Sequence, residues 1–317
     1  RHPGHRFGHQ FAYAGRGLVM IAQALAEYPF QPRFFEADGH RLAYLDEGQG
    51  PVVVMVHGNP SWSYLYRNLV SGLRDRYRCI VPDHLGCGFS DKPQDATYRL
   101  ANHIDRLERL LDSLGVDDCV LAVHDWGGAI GMGWAGRHPE RVRGIVAFNT
   151  AAFRSSRIPL RIAACRWPVL GPLLVRGLNG FARAAIFMAV ARRMRAEIAR
   201  GFLTPYDSWR NRIAVLRFVQ DIPMDDSHPS WATLRNVEDS LARLAAHPLL
   251  LCWGGRDFCF NDWFYNEWRR RFPQAEGHYF ADAGHYVLED ALSEIQPLLE
   301  RFLERIFSRT EAGHDGL

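Results

Sequence analysis

The chain has 317 residues, 47% of them apolar and 23% charged, with a formal net charge of +3 at pH 7. That length holds one large α/β domain with an insertion, or two small domains. The small net charge gives no footing for nucleic-acid binding.

The chain begins with a basic stretch, RHPGHRFGHQFAYAGRG, followed by the apolar LVMIAQALAEYPF. The pair loosely mimics a secretory signal, but the apolar run contains Gln23 and is too short to span a bilayer. The expectation is an N-terminal helical extension over 1–32, amphipathic and docked on the body, on a partner or at a membrane surface. From Phe34 onward, strand and helix signals alternate. RFFEADGHRLAYLDEG reads as a hairpin with Asp38-Gly39 at its turn. PVVVMVHG is a continuous apolar run ending in glycine, the mark of a strand buried on both faces. YRCIVPDHLG, DCVLAVHD, VRGIVAFNT and PLLLCWGG repeat that mark, and amphipathic stretches such as ANHIDRLERLLDSLG lie between most of them. Strands alternating with helices imply an α/β fold, with a mostly parallel sheet covered on both faces.

The regularity breaks after Thr150. RIPLRIAACRWPVLGPLLVRGL, FARAAIFMAVARRMRAEIARG and PYDSWRNRIAVLRFVQDIP read as helices with no buried strand among them. Residues 153–225 are therefore expected to form a helical cap inserted into a core made of 33–152 and 226–310, with a frayed tail at 311–317. The six cysteines include no C-x-x-C pair, so they imply neither zinc nor a redox motif. They are expected as reduced, mostly buried thiols of a cytoplasmic protein.

In open α/β sheets, ligands bind at the carboxyl ends of the strands. Those ends carry Asn59, Asp83, Asp125 and Asp257, with His285 after the last strand signal. Asp125 in V-H-D-W-G-G has the shape of the nucleophile elbow G-x-S-x-G, with Asp for Ser and Val123 at the first glycine. The tight turn is expected to push its side chain into the open. The bland alternative is an N-cap aspartate. Asp257 in GGRDFCF and His285 in DAGHYVLED complete the chain order nucleophile, acid, histidine. A carboxylate nucleophile attacks sp³ carbon and forms an alkyl ester, which a histidine held by Asp257 can expose to activated water. The scissile bond then runs to a good leaving group: halide, epoxide oxygen or strained ester oxygen. Asn59 and Trp126 each offer backbone and side-chain N–H groups to the departing anion. His57 and His124 read as buried supports, Asp83, His84 and Asp91 as loop-shaping groups, and Glu289 and Asp290 as first-turn acids of the last helix. ARRMRAEIAR reads as a solvated helix face, with docking on a partner as the alternative. No phosphate loop, dinucleotide fingerprint or metal cluster is present in the sequence.

HGNPSWSYLYR, VHDWGGAIG, GGRDFCF and DAGHYVLED resemble the haloalkane dehalogenase group of α/β-hydrolases, over about Tyr28 to Phe307. The resemblance implies an α/β-hydrolase fold with a mostly parallel eight-stranded sheet and an inserted helical cap. It implies Asp125 as nucleophile, His285 as base, Asp257 as acid, and Asn59 with Trp126 as the anion-holding pair. One dehalogenase subgroup carries its acid as a Glu after the strand preceding the cap. Here that stretch reads FNTAAF, without a carboxylate. PDHLGCGFSDKP, RDFCF, FVQDIP and AGHYVLED are further similar to the β-lactone decarboxylases of bacterial long-chain olefin biosynthesis. That resemblance implies conversion of a cis-β-lactone with two alkyl chains to a cis-alkene and carbon dioxide, without metal or organic cofactor. It also implies thiolase-like, synthetase and reductase partners. Three other readings stay open: a haloalkane dehalogenase using the same five residues, an epoxide hydrolase using a cap tyrosine such as Tyr206, and an inactive hydrolase serving as a scaffold. The intact triad speaks against the last.

Overall fold

The computed structural model describes residues 21, 22 and 24–311. Most of the apolar N-terminal helix expected within 1–32, and the end of the tail at 312–317, lie outside the described residues. The hairpin signal forms β1 (Arg33–Ala37) and β2 (His40–Glu47). Asp38 and Gly39 both take positive φ, 56° and 75°, as a two-residue hairpin turn requires. The apolar runs form β3 (Val52–Val56), β4 (Arg78–Pro82), β5 (Cys119–Asp125), β6 (Val142–Thr150), β7 (Leu249–Gly254) and β8 (Glu276–Phe280). Their order across the single eight-stranded sheet is β1-β2-β4-β3-β5-β6-β7-β8. Only β1 with β2 and β2 with β4 pair antiparallel; the other five pairings are parallel.

The central strands alternate faces with period two. Val120 and Ala122 of β5 enter one apolar core, while Leu121 and Val123 enter the other, on the opposite side of the sheet. Helices α1 (Arg67–Leu73), α2 (Leu100–Ser113) and α3 (Trp126–Arg137) follow β3, β4 and β5. Between β6 and β7 lie α4 (Leu160–Ala164), a π turn at Leu173–Gly177, α5 (Gly180–Met188), α6 (Ala196–Leu203), α7 (Ile213–Gln220) and α8 (Trp231–Ser240). The core closes with α9 (Asp262–Arg271) and the long α10 (Leu292–Glu311). Ile295, Leu299, Phe302 and Ile306 of α10 recur at helical spacing and pack into the core.

The stretch after β6 is helical as expected, but more broken. Pro159, Pro168 and Pro172 interrupt its first part, because proline removes an N–H and disfavours helix in the residue before it. The second helix ends at Met188 for a tertiary reason. The Asp290 carboxylate takes the N–H groups of Ala191 and Arg192 at 2.7 and 3.1 Å, and that of Gly284 at 2.8 Å. Glu289 and Asp290 thus do not serve α10. They sit in a separate helical turn, Val287–Asp290, where Glu289 meets the buried Arg67 guanidinium.

Candidate active site

The sheet brings Asp125, His285 and Asp257 together at the carboxyl ends of β5, β8 and β7. Asp125 closes β5 with φ 53° and ψ −124° and precedes α3. This is the sharp strand-to-helix turn the sequence pattern demands. Two glycines permit it. A Cβ on Gly127 would overlap the Val56 carbonyl, and one on Gly58 would overlap the Asp125 carboxylate. The N-cap reading does not hold, since the Asp125 side chain accepts no capping bond from α3. Its Oδ1 instead accepts the Asn59 backbone N–H at 2.7 Å. The carboxylate is also not in the open, because residues after β6 cover it and leave Asp125 9% exposed.

His285 Nε2 lies 3.6 Å from Asp125 Oδ2, and His285 Nδ1 lies 2.7 Å from Asp257 Oδ2. The ring stacks on Phe260 at 5.7 Å and 20°, and meets His124 at 4.5 Å with a 45° tilt. His124 Nε2 also bonds the His285 carbonyl at 2.9 Å. Burial holds the His124 and His57 imidazoles well below 6.5, which suits neutral structural supports. Burial raises the Asp125 carboxyl above the usual carboxylate range, although His285 and the Asn59 and Trp126 amides pull it back. At His285, burial pulls the imidazole down. The Asp257 charge and hydrogen bond, with the Asp125 charge, outweigh it, and the net direction is up.

Asp83, at the end of β4, is spent on structure. Its carboxylate takes the N–H groups of Ser63 and Phe89 at 2.7 and 3.0 Å, and burial lifts it to about 6. Asn59 plays two parts. Its backbone N–H holds Asp125, and its side-chain Nδ2 donates to the Val215 carbonyl at 3.2 Å. An amide nitrogen carries two hydrogens, so one remains for a ligand. Trp126 packs on Phe218 at 5.3 Å and lines the space above Asp125.

A model of the α/β hydrolase fold matches residues 51–292. The chain belongs to the α/β-hydrolase family. This hydrolase is 49% identical to the cis-3-alkyl-4-alkyloxetan-2-one decarboxylase of Shewanella oneidensis, over 87% of its own length and 89% of the relative's. It is 47% identical to the enzyme of the same name from Xanthomonas campestris pv. campestris, over 88% and 97%. A solved haloalkane dehalogenase from Agrobacterium tumefaciens C58 superposes with a TM-score of 0.78 at 27% identity, covering 87% of this chain and 96% of that one. The motif resemblances read from the sequence are thereby borne out at both levels, the broad fold family and the narrower decarboxylase relatives.

The site also holds a residue absent from the strand-end candidates. Asn149 lies next to the end of β6, with φ 32°. Its Nδ2 donates to Asp257 Oδ2 and to the Gly254 carbonyl, both at 3.0 Å, and its Oδ1 accepts the Gly254 N–H at 2.8 Å. Cys259 N–H adds a second bond to Asp257, at 2.7 Å to Oδ1. Asn149 therefore stands near the place where some dehalogenases carry their acid, and steadies the carboxylate this chain has. Asn149→Ala is expected to lower kcat about tenfold with KM unchanged, since one bond to a charged group is lost. Asn149→Asp should cost more, because it sets a second carboxylate against Asp257. Steady-state kinetics of both folded variants check the order.

Two apolar cavities meet at Asp125 and Asn59. The first runs past Trp126, Phe153, Val219 and Leu234. The second runs past Cys165, Leu174, Ala184, Ala185 and Met188. Ile162, Phe181 and Cys259 line both. Tyr206, the tyrosine an epoxide hydrolase would need, lines neither. It is fully buried, with its hydroxyl turned to the Ser61 carbonyl.

Proposed function

We propose that this hydrolase is a β-lactone decarboxylase, turning long-chain cis-3-alkyl-4-alkyl-β-lactones into cis-alkenes and carbon dioxide. The observation that carries the reading is the pair of apolar cavities diverging from one carboxylate. A ligand with a small polar ring and two alkyl arms fits such a fork. A short haloalkane fills only one branch. The 49% and 47% identities to decarboxylases support the same substrate class. In this reading 153–225 is the cap that roofs the site, and 33–152 with 226–310 is the catalytic core.

Asp125 Oδ2, the oxygen not held by Asn59, attacks the ring carbon that bears oxygen, from the face opposite the C–O bond. That bond breaks, an alkyl ester forms, and the ring carboxylate is released toward Asn59 Nδ2 and Trp126. Inversion leaves the ester oxygen and the carboxylate anti across the C3–C4 bond, with both alkyl arms on one side. Loss of carbon dioxide sends its bonding pair into the new double bond and expels Asp125 as carboxylate. A cis lactone gives a cis alkene, no water is consumed, and Asp125 returns unchanged. No step calls on a metal or an organic cofactor.

Lactones of this kind require an enzyme that closes a β-hydroxy acid. We infer a cytoplasmic setting beside the thiolase-like, synthetase and reductase enzymes of olefin formation.

The test is a paired incubation, with a long-chain cis-β-lactone in one vial and bromoalkanes in the other. Alkene by gas chromatography with slow bromide release is expected. Rapid bromide release without alkene would overturn the reading. Ala184→Trp, which narrows only the second cavity, should shorten the longest alkyl arm accepted while short-armed lactones still turn over.

A further inference from the structure

The cap carries an unusual combination of side chains on its outer side. Between Glu140 and Glu197 the sequence contains no Asp or Glu, yet residues 154–195 hold nine arginines. Among the described residues, only Arg154 and Arg195 of these nine form ion pairs, with Glu238 and with Glu27 and Glu197. The same stretch holds six of the nine large apolar side chains that stand exposed among the described residues. They are Leu160, Trp167, Val169, Leu173, Leu178 and Phe187, each 55 to 88% exposed. Cys165, Val175, Ala182 and Ile186 from the same segments point the other way, into the core. The exposed set therefore looks outward, away from the sheet. Arg161 bridges α4 to α5 through the Met188 sulfur, so the two helices present their exposed residues side by side.

Lone exposed hydrophobic residues need no explanation, but a cluster interleaved with arginines that lack an acidic partner does. An acidic protein surface would satisfy the guanidiniums and leave the leucines and Val169 in water. A purely apolar partner would do the reverse. An anionic bilayer surface offers phosphates at the level of the arginines and hydrocarbon just beneath, with tryptophan favoured at the boundary between them. We propose that this outer face of the cap docks on anionic membranes as a peripheral surface, seated by Leu160, Trp167, Val169 and Phe187. The second cavity lies directly behind this face, lined by Arg161, Cys165, Ala184 and Met188. A long-chain ligand dissolved in the bilayer thus has a short path to Asp125. Only that last point rests on the lactone reading; the docking itself does not.

The test is flotation of the full-length chain with vesicles of phosphatidylcholine alone and of phosphatidylcholine with phosphatidylglycerol. Binding is expected to the anionic vesicles only, and to fall with added salt. Trp167→Ser combined with Phe187→Ser should lower the bound fraction roughly tenfold by removing the inserted groups. Arg183→Gln with Arg192→Gln and Arg193→Gln should weaken binding and flatten its salt dependence. None of these residues lines the first or second cavity, so turnover of lactone presented in detergent micelles should stay at the parent level and report intact folding. Equal binding to both vesicle types, or anionic binding that the cap variants leave unchanged, would overturn the proposal. So would a dimer in solution that the Trp167 and Phe187 changes dissociate, since the face would then belong to a second copy.

Discussion

Asp125→Ala should abolish alkene formation, with kcat falling at least about 10⁴-fold, the scale seen when a covalent nucleophile is removed. The strand-to-helix turn will survive the change. It is built from backbone and from Gly127 packed against the Val56 carbonyl, and α3 draws no cap from the carboxylate. Burial works against the charge on Asp125, so its removal should leave the melting temperature unchanged or higher, a trade of stability for function that strained sites commonly make. Asp125→Asn keeps the shape and the Asn59 contact but not the nucleophile, and should be equally inactive. A folded variant of either kind that retains a tenth of parent activity would sink the covalent route. Circular dichroism melts, with gas-chromatographic alkene assays on the same samples, decide it.

Much of this arrangement is written locally in the sequence. Strands β3, β5, β6 and β7 are apolar runs because both faces of a central parallel strand are buried, and no other element of similar length needs such a run. Asp125, Asp257 and Asn59 could be listed from the ends of those runs, and His285 from the strand signal of β8. What was not legible depends on contacts across the fold. The break after Met188 is made by Asp290, a carboxylate 98 and 99 residues away from the amides it takes. Burial of Asp125 is imposed by the segment after β6, whereas the elbow alone predicts an exposed side chain. Asn149 is an intermediate case. The strand-end rule applied to VRGIVAFNT points to it, but an asparagine gains meaning only once Asp257, 108 residues later, is found 3.0 Å away.

The role of His285 separates the decarboxylase from its hydrolytic relatives most sharply. A dehalogenase-type hydrolysis needs a neutral imidazole to take a proton from water, so its rate falls as pH drops through the histidine pKa. Decarboxylation as drawn above uses no water, and its second step expels Asp125 as an anion 3.6 Å from His285 Nε2. An imidazolium there stabilises the charge as it develops. The structure favours that form: Asp257 and Asp125 outweigh burial and carry His285 above 6.5. The imidazolium is the form present below that pKa. While Asp125 stays ionised, alkene formation should be highest on the acid side of the raised His285 value and decline as pH rises through it. His285→Ala should cost roughly 10²- to 10³-fold, the usual scale for one charge-stabilising group, and should erase the alkaline decline. The same variant given a bromoalkane should instead stall as an alkyl ester on Asp125, visible as added mass. A rate that rises with pH through neutrality, or oxygen-18 from labelled water appearing in Asp125 during lactone turnover, would make His285 a water-activating base and return the enzyme to the hydrolytic scheme.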